Sequence, residues 1–199
     1  GAVPRAWAGC FGSVHVAITI HGRGGHSGDP GNGVNALEET IPLLAALMAL
    51  KQRVERRVSA LPPPPHLGNK PLTARLTIAA AHGGQKGSSL PAVFDLLVNR
   101  RYMPEEKFEA VRDEIQSTIA DAMRGSAALK VETRIIGHLA PVSDPLGPHW
   151  PRWLAAVSRG FGSPPESFRA WGASSSSDMG WVQQAGNREI LLGGLVRPG

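Results

Sequence analysis

Two switches of hydrophobic period, each from two to about 3.6, constrain this chain more than any other feature. From Ser13 to His21 apolar and polar residues alternate, with Val14, Val16, Ile18 and Ile20 on one face of a half-buried strand. From about Val34 the spacing turns helical, with Leu37, Ile41, Leu44 and Met48 on one stripe, then Val54 and Val58. Pro42 should bend or loosen the first turns, and the prolines at 62–65 end the helix and open an extended connector. A second strand carries Leu72, Ala74, Leu76 and Ile78 on one side. "GGQKGSS" at 83–89 makes a loop or hairpin connection, and a third strand aligns Phe94, Leu96 and Val98. Pro104, Glu105 and Glu106 then mark a helix start, since Pro needs no N–H there and acids suit the positive end of the helix. That helix presents Phe108, Val111, Ile115, Ile119 and Ala122 and stops at Gly125. A fourth strand alternates through Leu129, Val131, Thr133 and Ile135.

Strand–helix–strand–strand–helix–strand predicts an α+β fold, a βαββαβ ferredoxin-like two-layer sandwich. Its four-stranded antiparallel sheet has two helices on one face and spans 12–139. After "HLAPVSDPLGP" the character changes. Short helices are expected in "HWPRWLAAVSRGFG" and "SSSSDMGWVQQAG", and a short apolar strand in "REILLGG". These elements are too few for a core of their own and read as part of a second domain.

With 42% hydrophobic and 19% charged residues, the 199-residue chain should fold rather than stay disordered. No apolar run approaches the roughly 20 residues of a membrane-spanning helix, so no membrane partner is expected. "GAVPRAWAGCFG" lacks the basic start and apolar stretch of a signal peptide, and a start without Met suggests a trimmed or excised piece. The single Cys10 rules out an internal disulfide and every multi-cysteine zinc motif, and it fits a reducing, cytoplasmic location. A net charge of +5 and a pI near 10.0 raise the question of nucleic acid. The basic residues are scattered, however, and one Tyr offers little for base stacking, so no nucleic-acid partner is expected.

Between the first strand and helix lies "HGRGGHSGDPGNGVNA", from His21 to Ala36. A dinucleotide loop there would need a parallel βαβ context, and the following short strand connection is antiparallel. A Walker loop would need Gly-Lys-Ser/Thr at the helix start, which is missing. A metal reading of His21 and His26 has no helical H-x-x-x-H and no nearby carboxylate pair; His15, His66, His82, His138 and His149 are isolated in sequence. Taken alone, the residues favour a plain surface loop with His26 near a helix N-terminus.

The same stretch resembles the G-x-x-x-H-[SA]-x-x-P-x-x-G-x-N-A segment of a large metallopeptidase family. Its members include acetylornithine deacetylase, succinyl-diaminopimelate desuccinylase, aminoacylase and glutamate carboxypeptidase. Gly22, His26, Ser27, Pro30, Gly33, Asn35 and Ala36 fall in place. "GGQKGSSLPAVFDLLVNRRYMPEE" is similar to a second family block through Pro91, Arg101, Pro104 and Glu106, but Ser88 replaces an Asn and Asn99 an Asp. "GASSSSDMGWVQQAGNREILLGG" resembles a later catalytic-domain stretch, with Ser177 and Asp178 in register.

The resemblance implies a division into 1–11, the end of an N-terminal catalytic segment; 12–139, a lid or dimerisation domain; and 140–199, a partial C-terminal catalytic segment. It implies a homodimer through the lid and a small N-acyl amino acid or peptide as substrate. Two zinc ions (or cobalt) would serve a full-length parent; none are expected on this chain, which lacks the family's metal ligands. The Glu38–Glu39 and Glu105–Glu106 pairs are expected to be helix-terminus charges instead. His26 would donate to the developing oxyanion in the partner's site, its glycines permitting close approach to the other subunit. Arg101 would grip a substrate carboxylate, Ser88 would stand in for a substrate-binding Asn, and Ser174–Ser177, with Ser177 foremost, would line the substrate side. The contrasting reading is a non-catalytic ferredoxin-like module for dimerisation or small-ligand binding.

Overall fold

The computed structural model describes residues 3–29, 31 and 33–196; Pro30 of the Gly-rich segment and the last residues of the 1–11 and 140–199 segments' outer ends lie outside them. In chain order come β1 (Val3–Cys10), β2 (Gly12–His21), a two-residue β3 (Gly25–His26) and α1 (Ala36–Val54). Then follow β4 (Arg75–Gly83), a two-residue β5 (Ser89–Leu90), β6 (Val93–Tyr102), α2 (Phe108–Ala122) and β7 (Lys130–Leu139). β4, β6, β2 and β7 lie side by side in that order, antiparallel throughout, as expected for the sandwich.

Strand parity decides the core. Val14, Val16, Ile18 and Ile20 of β2 are buried with Phe94, Leu96 and Val98 of β6 and with Leu72, Ala74 and Leu76, while α2 adds Val111, Ile115 and Ile119. Burying each such Leu or Ile contributes about 1.5–3 kcal/mol. On α1 only Val54, with Leu44 packed beside the core, holds from the expected stripe. Ala36, Thr40, Leu43, Leu47, Leu50 and Val54 face the core, and Leu37, Ile41 and Met48 are exposed. Val58 lies past the helix and is exposed too, because the chain turns at Glu55 and bridges Val58 to Thr73 well before the prolines. Pro42 sits on the exposed face and the helix runs through it.

Asn35 caps α1: its Oδ1 accepts from Leu37 N and Glu38 N, and its Nδ2 donates to Glu38 Oε1 at 2.8 Å. The Glu105–Glu106 pair departs from expectation. α2 begins at Phe108, and Pro104–Glu106 form a turn closed by Glu106 N to Met103 O. Glu106 accepts from Arg100 at 2.5 Å and from Arg57 at 2.8 Å, and Glu105 accepts from Ser59 Oγ and Ala60 N. Arg100 is wholly buried on the helix side of β6, so Glu106 answers a buried charge, while Glu105 ties down the chain after α1.

The free edges of the sheet differ. Each holds one register shift, at Ala79 in β4 and at Ile136 in β7. β7 interleaves Lys130, Glu132 and Arg134, whereas β4 has no charge between Arg75 and His82 and runs Ala79–Ala80–Ala81. The extra residue, Ile136, is itself exposed and changes the strand's phase, turning His138 onto the helix side. There Phe108 stacks on it with ring centroids 3.8 Å apart, Tyr102 Oη meets its Nε2 at 2.7 Å, and Trp181 packs edge-on. His138, isolated in sequence, is thus the centre of an aromatic cluster.

A second, smaller sheet joins the two ends of the chain. β1 pairs with β8 (Val142–Ser143), and α3 (Trp150–Phe161) leads on to β9 (Ala170–Ala173), which runs parallel to β1. α4 (Met179–Gln184) precedes β10 (Gly193–Val196), which pairs antiparallel with β1. Against expectation these elements have a small core of Cys10, Val142, Ala173 and Ile190, backed by Trp7, Met179, Val182 and Leu192. The expected strand in "REILLGG" starts only at Gly193. No helix among the described residues is long and apolar enough to cross a membrane.

Candidate active-site elements

The Gly-rich loop is stitched to its surroundings by backbone hydrogen bonds. Gly22 N donates to Ala92 O, Arg23 and Val34 exchange a pair, and Ala36 N reaches Pro91 O at 3.0 Å. Gly25 and His26 form a ribbon with Leu90 and Ser89, and Ser27 N donates to Ser88 O at 3.0 Å. Two glycines are needed for this folding back. A Cβ on Gly22 would stand 2.1 Å from Val34 O, and one on Gly33 would stand 2.4 Å from Leu90 Cδ1. The small size of these two glycines serves the close approach of the chain's own loop segments.

His26 and Ser88 thus lie on adjoining segments, both exposed, beside an open groove of about 500 Å³ lined by His82, Gln85, Ser89, Pro91 and Asp95. The His26 side chain has one polar contact among the described residues, Nδ1 accepting from Gly28 N at 3.1 Å.

Arg101 sits elsewhere. Its Nε donates to Asn99 Oδ1 at 3.3 Å and its Nη1 to Ser176 Oγ at 2.8 Å. Ser177, the serine singled out in sequence, turns the other way: its Oγ accepts from Met179 N at the start of α4. Ser176 was hidden in a four-serine run whose members look alike. β6 pairs Val93 with His21 at the His26 end of the sheet and Tyr102 with Gly12 at the other. The eight steps from Val93 to Arg101 at about 3.3 Å each separate the two groups by roughly 26 Å. One chain does not bring His26 and Arg101 together.

Cys10 is buried, which pushes its thiol above the usual range and removes it as a nucleophile. Among the described residues no three His, Cys, Asp or Glu side chains converge to hold a metal ion. The donors among the described residues therefore do not fit a zinc pair.

Comparison with known proteins decides the family. A model of the peptidase dimerisation domain matches residues 8–127. The chain belongs to that family. The peptidase dimerisation domain here is 30% identical over 135 residues to an acetylornithine deacetylase of Vibrio cholerae, covering 68% of this chain and 32% of that protein. A second acetylornithine deacetylase, from Erwinia tasmaniensis, is 32% identical over 93 residues, covering 47% of this chain and 23% of the relative. The chain thus spans about a third or less of these curated relatives. Among solved structures, an aminobenzoyl-glutamate utilization protein from Klebsiella pneumoniae superposes with a TM-score of 0.64 at 19% identity, over 92% of this chain and 43% of the other. An aminopeptidase from Bacillus cereus gives 0.61 at 16% identity, over 96% and 45%. Both share the fold of main sheet and second sheet together.

Proposed function

We propose that this dimerisation domain is the lid of a cytoplasmic, zinc-dependent amidohydrolase or peptidase that cleaves N-acyl amino acids or small peptides. In this reading 1–11 and 140–199 are pieces of its catalytic domain, and His26 serves the partner's site. Zinc (or cobalt) would be held by residues of the parent beyond this chain. His26 would donate to the oxyanion that develops on the scissile carbonyl, and Arg101 would take a substrate carboxylate with its planar fork. Ser88 and Ser177 would complete the substrate side.

The observation that carries this reading is the separation of His26 from Arg101. Leu37, Ile41 and Met48 are exposed on α1, which packs on β4, and the free edge of β4 carries no charge between Arg75 and His82; together they offer surface for a second copy. β4 starts opposite Arg101 and ends opposite Phe94. A two-fold axis through that edge pairs the start of one β4 with the end of the other, as antiparallel symmetry requires. His26 of the partner subunit then comes to the Arg101 end of this chain.

The test uses the full-length parent. His26→Ala should lower kcat by about 10²–10³ with metal content and dimer intact. Mixed with a metal-ligand mutant, it should form heterodimers with one complete site and regain part of the activity. Heterodimers seen by native mass spectrometry but without activity would sink the trans role.

A further inference from the structure

The orientation of the His26 ring has a chemical consequence. Its Nδ1 accepts the Gly28 backbone N–H, and an imidazole nitrogen that accepts carries no proton. The neutral ring then has its proton on Nε2. The surrounding turn holds this contact in place: Asp29 N donates to His26 O at 2.9 Å, Ser27 N to Ser88 O, and His26 pairs with Ser89. Gly28 also fits the ring closely. A Cβ there would lie 3.2 Å from Nδ1 and 3.4 Å from Cε1, so a side chain would press on the imidazole.

We infer that the Gly28 backbone amide locks His26 as the Nε2–H tautomer, making it a donor to a carbonyl or oxyanion oxygen and not a metal ligand. In a metal-bound histidine the second ring nitrogen donates, to a carboxylate, carbonyl or water. Here that nitrogen accepts. Binding a cation through Nε2 would move the proton to Nδ1 and set it against the Gly28 N–H. Gly28 is a positioning residue: it touches no substrate and acts by fixing which nitrogen of His26 holds the proton. The inference deepens the donor role proposed above and rests on it only for the identity of the acceptor.

The chain itself provides the test. Long-range ¹⁵N–¹H spectra of the labelled protein, at a pH where the ring is neutral, report the protonation of each imidazole nitrogen. His26 should show an unprotonated Nδ1 and a protonated Nε2, more completely than exposed His66, which serves as the internal reference. One equivalent of Zn²⁺ should leave both His26 signals in place. Gly28→Pro, which deletes the N–H, should move His26 to the mixed values of His66. A mixed or Nδ1–H state in the unaltered chain, or a zinc-induced shift at Nε2, overturns the inference. If Gly28→Pro disturbs the loop, the tautomer and zinc titration of the unaltered chain still decide. A locked tautomer with inactive heterodimers would leave this inference standing and remove the trans role; an unlocked ring with active heterodimers would do the reverse.

Discussion

Arg101 on β6 donates to Ser176 Oγ at 2.8 Å, and so ties the main sheet to the loop that precedes α4. Among the described residues the other guanidinium donors beyond Nε, which meets Asn99, make no hydrogen bond, and the serine fixes the side chain's direction without neutralising it. If Arg101 grips a substrate carboxylate as proposed, Arg101→Lys in the full-length parent should raise KM for a carboxylate-bearing substrate by roughly tenfold or more, because a planar two-point grip would be lost. Ser176→Ala should move KM only about threefold, since it removes one neutral hydrogen bond. Steady-state kinetics on both variants check this. Equal effects would mean that Arg101 is structural.

The two faces of α1 should separate assembly from folding. Met48→Glu or Ile41→Glu puts a charge on the exposed stripe and should yield monomers by analytical ultracentrifugation, with stability changed by about 0.5 kcal/mol or less. Leu47→Ala, on the buried face, should cost about 2–5 kcal/mol in urea denaturation. Glutamate variants that remain dimeric would place the interface elsewhere.

The buried Arg100 depends on Glu106. Glu106→Ala leaves that guanidinium uncompensated and should cost about 3–5 kcal/mol, read from the denaturation midpoint. Replacing both groups, as Arg100→Met with Glu106→Gln, should cost less than the single change. A double variant weaker than Glu106→Ala would show that the pair is net stabilising.

His138 links stability to pH. Burial holds its pKa below the usual histidine value of 6.5, with nearby Glu109 opposing the shift. A depressed folded pKa means that the unfolded chain takes up the proton first as pH falls. The contribution is therefore complete above about pH 6.5 and is lost as pH drops from there through the folded pKa. Denaturation midpoints should fall across that window in the native protein, and the fall should be shallower in His138→Phe. Identical pH profiles would mean that His138 is not the group responsible.

Much of this was legible in the residues. Alternation located the four long strands, and the spacing of Val111, Ile115 and Ile119 chose the buried face of α2. It could not choose for α1, which has two apolar stripes; periodicity reports that a stripe exists, and only the partner surface settles which one is covered. The inward Arg100 is readable, since it shares parity with Phe94, Leu96 and Val98, but alternation alone does not reveal which carboxylate meets a charge on a core position. The β3–β5 ribbon was beyond reach. Two residues are too few for a period, and the pairing of Gly25–His26 with Ser89–Leu90 depends on how distant segments meet.

The unlike edges of the main sheet also govern how many copies can gather. If β4 and β7 were equally receptive, each added chain would offer a fresh edge, and association would run on as a filament. Charges along β7 leave the main sheet a single receptive side, so if the pair joins through β4 as proposed, both of its open flanks are consumed and growth should halt at two.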